Sequence, residues 1–176
     1  MPSFLLVPVV VVAVVLVVAA RRTGAFRVER SLRIAAPPER IEPLISDLRR
    51  FNLWNPFSQG QPVQITYTGP ERGVGAGYDF VGSAASGRGQ LVIVDAAPGK
   101  VRMRLAMIAP IRCENELEFL LAPGAGGTEV TWAMHGVSPF IAKLMGLVVN
   151  TDRMVGREME TGLAALKAQA ELQQAA

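Results

Sequence analysis

His135 and Cys113 are the chain's single histidine and single cysteine. No serine or cysteine nucleophile is paired with His135 in sequence, and Gly136 follows it at a strand end, so it reads as a surface or rim residue. Cys113 can form no internal disulfide and reads as a small packing side chain. One His, one Cys and scattered acids assemble no metal site, and no cofactor motif is present. Gly73, Gly75 and Gly77 lack the Gly-x-Gly-x-x-Gly spacing of a nucleotide loop and precede a strand, which assigns them to a turn or bulge. Asp152, Glu158 and Glu160 share a helical stretch. A lone carboxylate at a cavity could act as acid or base, with Asp152 near the helix centre, but solvation or pairing with Arg153, Arg157 or a sheet residue is the simpler reading. No catalytic set emerges, and the sequence does not by itself mark an enzyme.

A different chemistry is written in the apolar residues. Trp54, Tyr78, Phe80, Met103, Leu105, Met107, Leu117, Phe119, Trp132 and Met134 form one expected inward set. They exceed what two packed layers need, and the three sheet methionines among them make a deformable wall. Tyr67, Tyr78 and Asn115 are the polar groups placed to orient a ligand there. These twelve residues are the candidate ligand-binding set.

The elements that must position them follow from periodicity. Phe26 to Ile34 alternates as a first strand. Pro37-Pro38-Glu39 opens a helix with Ile41, Leu44 and Ile45 on one face, and a second short helical turn spans Asp47 to Phe51. Trp54-Asn55-Pro56-Phe57 ends it, since Pro56 disfavours helix at Asn55. Six strands are expected from Pro62 to Gly136, with turns at Gly69-Pro70, Pro98-Gly99 and Gly124 to Gly127. Val101, Met103, Leu105 and Met107 share one face, while Glu114, Glu116 and Glu118 face away from Asn115, Leu117 and Phe119. Ser138-Pro139 then starts a long helix to about Gln173, with Leu144, Val148, Thr151, Val155, Met159 and Leu166 as its stripe. Seven strands with one apolar face each, and one amphipathic helix to cover them, predict an α+β fold in which a curved antiparallel sheet grips that helix.

Phe4 to Ala20 is a run of 17 residues without charge, closed by Arg21-Arg22. As helix it would rise about 25 Å, close to a hydrocarbon core of about 30 Å once the arginine stems are added. Met1-Pro2-Ser3 carries no base and Ala19-Ala20 runs straight into arginine, which favours a retained anchor over a cleaved signal peptide. The chain thus divides into residues 1–24, a transmembrane helix with a basic juxtamembrane segment, and residues 25–176, one domain of ordinary size. Arg21, Arg22, Arg27, Arg30 and Arg33 all follow the run, so the domain is expected on the cytoplasmic side of the cell membrane. The net charge of +3 resides in those five arginines, leaving 13 basic and 14 acidic residues from Ile34 onward. That distribution suits anionic head groups and excludes the basic, aromatic-laced stripe of a nucleic-acid binder. The pattern does not speak to an oligomeric state.

A family likeness rests on particular residues: Phe26-Arg27-Val28-Glu29-Arg30-Ser31-Leu32, Trp54-Asn55-Pro56-Phe57, Gly73-Val74-Gly75-Ala76, Gly127-Thr128-Glu129-Val130-Thr131-Trp132 and Gly162-Leu163-Ala164-Ala165-Leu166-Lys167. In order and spacing, from about Ala25 to Glu171, the chain resembles the START/birch-pollen-allergen (SRPBCC) superfamily, in particular bacterial proteins of the polyketide cyclase/dehydrase type. The resemblance implies a helix-grip fold around a cavity for an apolar or amphipathic small molecule. It does not imply one activity. The leading expectation is a membrane-tethered binder or carrier of a lipid, quinone or polyketide-like compound. The alternatives are a cyclase or dehydratase using the same cavity, and an interaction module whose cavity is vestigial.

Overall fold

The computed structural model describes residues 20–21, 23–59, 62–83, 87–140, 143 and 150–172. The run 4–20 lies outside them apart from Ala20. Among the described residues no helix is long and apolar enough to cross a membrane.

Seven strands form one antiparallel sheet: β1 (Ala25–Ile34), β2 (Gln64–Thr68), β3 (Gly77–Val81), β4 (Arg88–Ala97), β5 (Lys100–Ala109), β6 (Cys113–Gly124) and β7 (Gly127–Val137). Their order is β1-β7-β6-β5-β4-β3-β2. Consecutive hairpins build β2 to β7, and β1 returns to pair with β7, placing Ala25 opposite Val137 and Ile34 opposite Thr128. Alternation sets the faces as expected. Val101 and Met103 of β5 and Leu117, Phe119 and Leu121 of β6 are buried, and so are Val130, Trp132 and Met134 of β7. On the outer face Arg102 joins Asp95 at 3.0 Å and Glu116 at 3.4 Å, and Lys100 joins Glu118 at 2.6 Å. Gly73 and Gly75 have φ of +79° and +87°, the left-handed backbone of the β2–β3 turn.

Two short helices follow β1. Helix α1 (Pro38–Ser46) buries Ile41, Leu44 and Ile45. Helix α2 (Leu48–Trp54) is capped by Asp47, whose carboxylate accepts from the Arg49 N–H at 2.9 Å. A 3₁₀ turn, Pro56–Ser58, is capped in the same way by Asn55, which accepts from the Phe57 N–H at 3.3 Å.

The long helix α3 spans Thr151–Leu172. The expectation of one unbroken helix from Ser138 is corrected here. The Lys143 N–H reaches the Pro139 carbonyl at 3.0 Å, so helical bonding does start at Pro139. Asn150, however, is not helical, and its side chain accepts from the Arg153 N–H at 3.0 Å as an N-cap. Asp152 therefore stands in the first turn rather than near the helix centre. Val155 is half-buried, and Met159 and Leu166 are buried, as the stripe required. Leu144 and Val148 lie outside the described residues.

Helix α3 lies across the sheet with its N-terminal turns toward the end where β1 begins. Arg30 fixes that orientation. Its guanidinium binds Glu160 at 2.8 Å and Asp152 at 3.1 Å, while the Ala35 N–H donates to Glu171 at 2.9 Å. Gly156 makes room for the contact, since a Cβ there would fall on the guanidinium.

Candidate functional site

Between the sheet, α2 and the first turns of α3 the fold leaves a cavity of about 450 Å³. That is an ordinary size for a small-molecule site. Eight of the twelve candidate residues line it: Tyr78, Phe80, Leu105, Met107, Asn115, Leu117, Trp132 and Met134. They come from adjacent strands in register. Asn115 sits opposite Gly136 and Leu105, Met107 opposite Gly89, and Gly89 opposite Phe80. Glycine at 89 and 136 keeps this part of the sheet free of side-chain bulk.

The other four candidates lie elsewhere. Trp54 is buried under α1 and donates its indole N–H to the Leu44 carbonyl at 2.8 Å. Phe119 stacks on Trp132 with ring centres 5.1 Å apart and meets Phe51 edge-on. Met103 is fully buried in the core. Trp54, Phe119 and Met103 are buried in the core and do not line the cavity. Tyr67 is near the sheet edge, with the Arg49 guanidinium 4.3 Å above its ring and its hydroxyl accepting from Asn52 at 3.3 Å. It borders a separate, more polar groove.

Several lining residues escape strand periodicity because no strand carries them. Asn55, Pro56, Phe57, Ser58 and Gln59 come from the 3₁₀ turn, Phe51 from α2, and Val155 and Glu158 from α3. The polar ones form a network: Asn55 donates to Ser58 at 3.0 Å, and Ser58 to Asn52 at 2.7 Å. Burial pushes the Tyr78 phenol above the usual tyrosine range, and hydrogen bonding to Ser58 and Asn55 only partly opposes it. Tyr78 is a neutral hydroxyl at any physiological pH.

Two polar atoms in the lining are buried without a hydrogen-bond partner among the described residues, the Trp132 indole Nε1 and the Asn115 Oδ1. An unpaired buried donor or acceptor costs about 1–3 kcal/mol. A ligand that met either would recover that cost. Among the described residues, the one ionisable group with ordinary solvent access in the lining is Glu158, which is exposed at the rim.

The residues first considered for catalysis lie apart from this cavity, Glu158 excepted. His135 is on the outer sheet face, with Nε2 3.8 Å from Glu116. Burial raises the Cys113 thiol above its usual range, which Asn115 partly offsets. Asp152 and Glu160 are held by Arg30. Among the described residues no group of His, Cys, Asp and Glu could hold a metal ion.

Comparison with known proteins gives the same architecture. The profile of a family described as polyketide cyclase / dehydrase and lipid transport matches residues 25–171. No curated protein matches the chain. Among solved structures, a norcoclaurine synthase point mutant from Thalictrum flavum, in complex with a transition-state analogue, aligns with TM-score 0.65 at 11% identity, covering 87% of this chain and 98% of that one. Ara h 8.0201 aligns with TM-score 0.58 at 10% identity over 84% and 98%. Protein Ms6760 from Mycobacterium smegmatis aligns with TM-score 0.56 at 17% identity over 84% and 92%. At these identities the likeness is one of fold.

Proposed function

The chain belongs to the polyketide cyclase / dehydrase and lipid transport family, and on that premise we propose that it is a membrane-tethered carrier of an uncharged amphipathic molecule. The observation that carries this reading is the cavity itself. Its walls are Phe80, Leu91, Leu105, Met107, Leu117 and Met134, and two further lining residues each carry a buried polar atom with no partner among the described residues, a donor on Trp132 and an acceptor on Asn115. Among the described residues no cation lines it, so a carboxylate or phosphate buried there would find no counter-charge from them. A hydroxylated or carbonyl-bearing lipid, quinone or polyketide-like compound fits both the walls and the polar atoms.

Residues 4–20 supply the tether in this reading. An apolar cargo partitions into the bilayer, and the run keeps the domain beside that reservoir with the five following arginines on the cytoplasmic side. Retention of the chain in the membrane after alkaline extraction, with a C-terminal reporter active in the cytoplasm, supports the tether. A mature protein beginning near Arg21 and released by alkali contradicts it.

The test of the carrier reading is native mass spectrometry of the full chain extracted in mild detergent. A co-purified neutral molecule, released unchanged, is the expected result. A bound compound that the protein converts to a product would favour the cyclase or dehydratase reading, for which Glu158 is the one carboxylate in the lining among the described residues. Absence of any bound molecule, with no uptake of added apolar probes, would leave the interaction-module reading.

A further inference from the structure

We propose that the end of the domain at which the cavity opens is a docking face for an anionic lipid surface. The proposal rests on the tethered-carrier reading and adds the orientation of the domain on the bilayer.

Register fixes which end this is. Ala25 opens β1 opposite Val137, and the next row along runs from Phe26 through Gly136 and Asn115 to Leu105. Met107, Gly89 and Phe80 continue the same end of the sheet across β5, β4 and β3. The lining residues Asn115, Met107 and Phe80 thus lie at the end where the chain enters from its apolar run. The first turns of α3, with Val155 and Glu158, point to the same end, because Asp152 meets Arg30 while Glu171 meets Ala35.

The connection is short. The Gly24 carbonyl already accepts from the Ser138 N–H at 2.7 Å. From Ala20 to Gly24 the chain spans at most ~14 Å, even fully extended. A run seated in the bilayer therefore holds this end against the head groups and leaves the opposite end in water.

The surface suits that placement. Val81, Ile108, Val137 and Phe140 stand 53%, 44%, 67% and 48% exposed around this end. Arg88, Arg112, Lys143 and Arg153 lie among them, and none makes an ion pair with a described residue. The acids at this end are Asp79, Glu114 and Glu158, with Asp152 held by Arg30, so four free cations stand against three. The opposite end also exposes apolar side chains, Val74, Leu120 and Leu172, but there each arginine has an acid next to it, Arg40 beside Glu39 and Arg72 beside Glu71 in sequence, and Arg33 opposite Glu129 in register. Apolar tips set among an excess of cations bind anionic head groups, each cation near the surface adding to the attraction. With the mouth against the membrane, cargo passes between bilayer and cavity without crossing water.

The test places nitroxide labels on the full chain in nanodiscs of phosphatidylcholine with phosphatidylglycerol. In a Cys113→Ala background, single cysteines are introduced as Val81→Cys and Ile108→Cys at the mouth end, and as Val74→Cys and Leu120→Cys at the far end. All four positions are exposed, so labelling need not disturb the fold. Collision with oxygen and with a water-soluble nickel chelate reports depth. The expected result is that labels at 81 and 108 are shielded from nickel and exposed to oxygen, more so with phosphatidylglycerol, while those at 74 and 120 remain aqueous. Four aqueous labels on a chain that stays with its nanodisc overturn the docking face and leave the tether standing. A chain that does not stay with the nanodisc overturns both. Binding of an apolar probe to the same samples reports the cavity separately.

Discussion

Replacing Trp132 by Phe separates an empty polar site from a packed one. In the ligand-free protein the indole N–H is buried with no partner among the described residues, and its removal relieves about 1–3 kcal/mol. The smaller ring gives up about 40 Å² of apolar burial, worth about 1 kcal/mol. Phe keeps a ring against Phe119, Trp54 and Phe57, which surround it at 5.1 to 6.2 Å. The sum predicts an unliganded protein between unchanged and about 2 kcal/mol more stable, where loss of core aromatic volume ordinarily destabilises. Binding moves the opposite way. A ligand carbonyl that accepts from the indole loses about 1 kcal/mol, a roughly fivefold weaker Kd. The assay uses the full chain in amphipol, with empty amphipol subtracted. Denaturant unfolding is followed by Trp54, the remaining tryptophan, and binding by two neutral probes. PRODAN carries a carbonyl, and N-phenyl-1-naphthylamine has none. PRODAN affinity should fall and the naphthylamine affinity should hold. A destabilised variant that binds both probes as before would refute the reasoning, because the indole would then be a packing group alone.

Three further outcomes follow from the contacts. Gly156→Ala should lower Tm despite the better helix propensity of Ala, because its methyl displaces Arg30 from Asp152 and Glu160; in an Arg30→Ala background, where those contacts are already gone, the same substitution should leave Tm unchanged or raise it. The Cys113 thiol, raised by burial, should alkylate slowly at neutral pH and speed up only above the free-thiol range near about 8.5, as mass spectrometry against a free-thiol peptide will show. Lys100 holds the Glu118 carboxyl below its usual range, so this pair's contribution is present above the unfolded value of about 4.3 and is lost as pH falls through the lower folded value; Lys100→Met should flatten the acid limb of the stability–pH curve.

The strands were legible because each carries one face of alternating side chains, and the outward acids Glu114, Glu116 and Glu118 marked the phase unmistakably. Alternation says which side a residue faces, not what stands opposite. Met103 and Met107 share a face of β5, yet one is buried in the core and the other borders the cavity. The difference is one of position along the strand, since Met107 lies toward the end where β5 meets Gly89 and Cys113, and Met103 lies opposite Ile93 and Leu117. Trp54 and Phe119 likewise read as lining and proved to be core. The polar side of the cavity comes from Asn55, Ser58 and Gln59 on a single 3₁₀ turn, too short for any periodicity to register. The break at Asn150 had a readable signal, an Asn followed two residues on by the start of a charged stretch, but the apolar spacing from Leu144 through Val155 masked it.

The central claim is that the space beside Trp132 is a binding cavity, and filling it is the most direct test. Leu105 is half-buried, lines the cavity and lies opposite Asn115, so a larger ring at that position projects into empty volume. In Leu105→Trp the protein should keep its Tm within a few degrees and lose binding of PRODAN and of any co-purified molecule together. A variant that folds as before and binds both with unchanged stoichiometry and affinity would contradict the account.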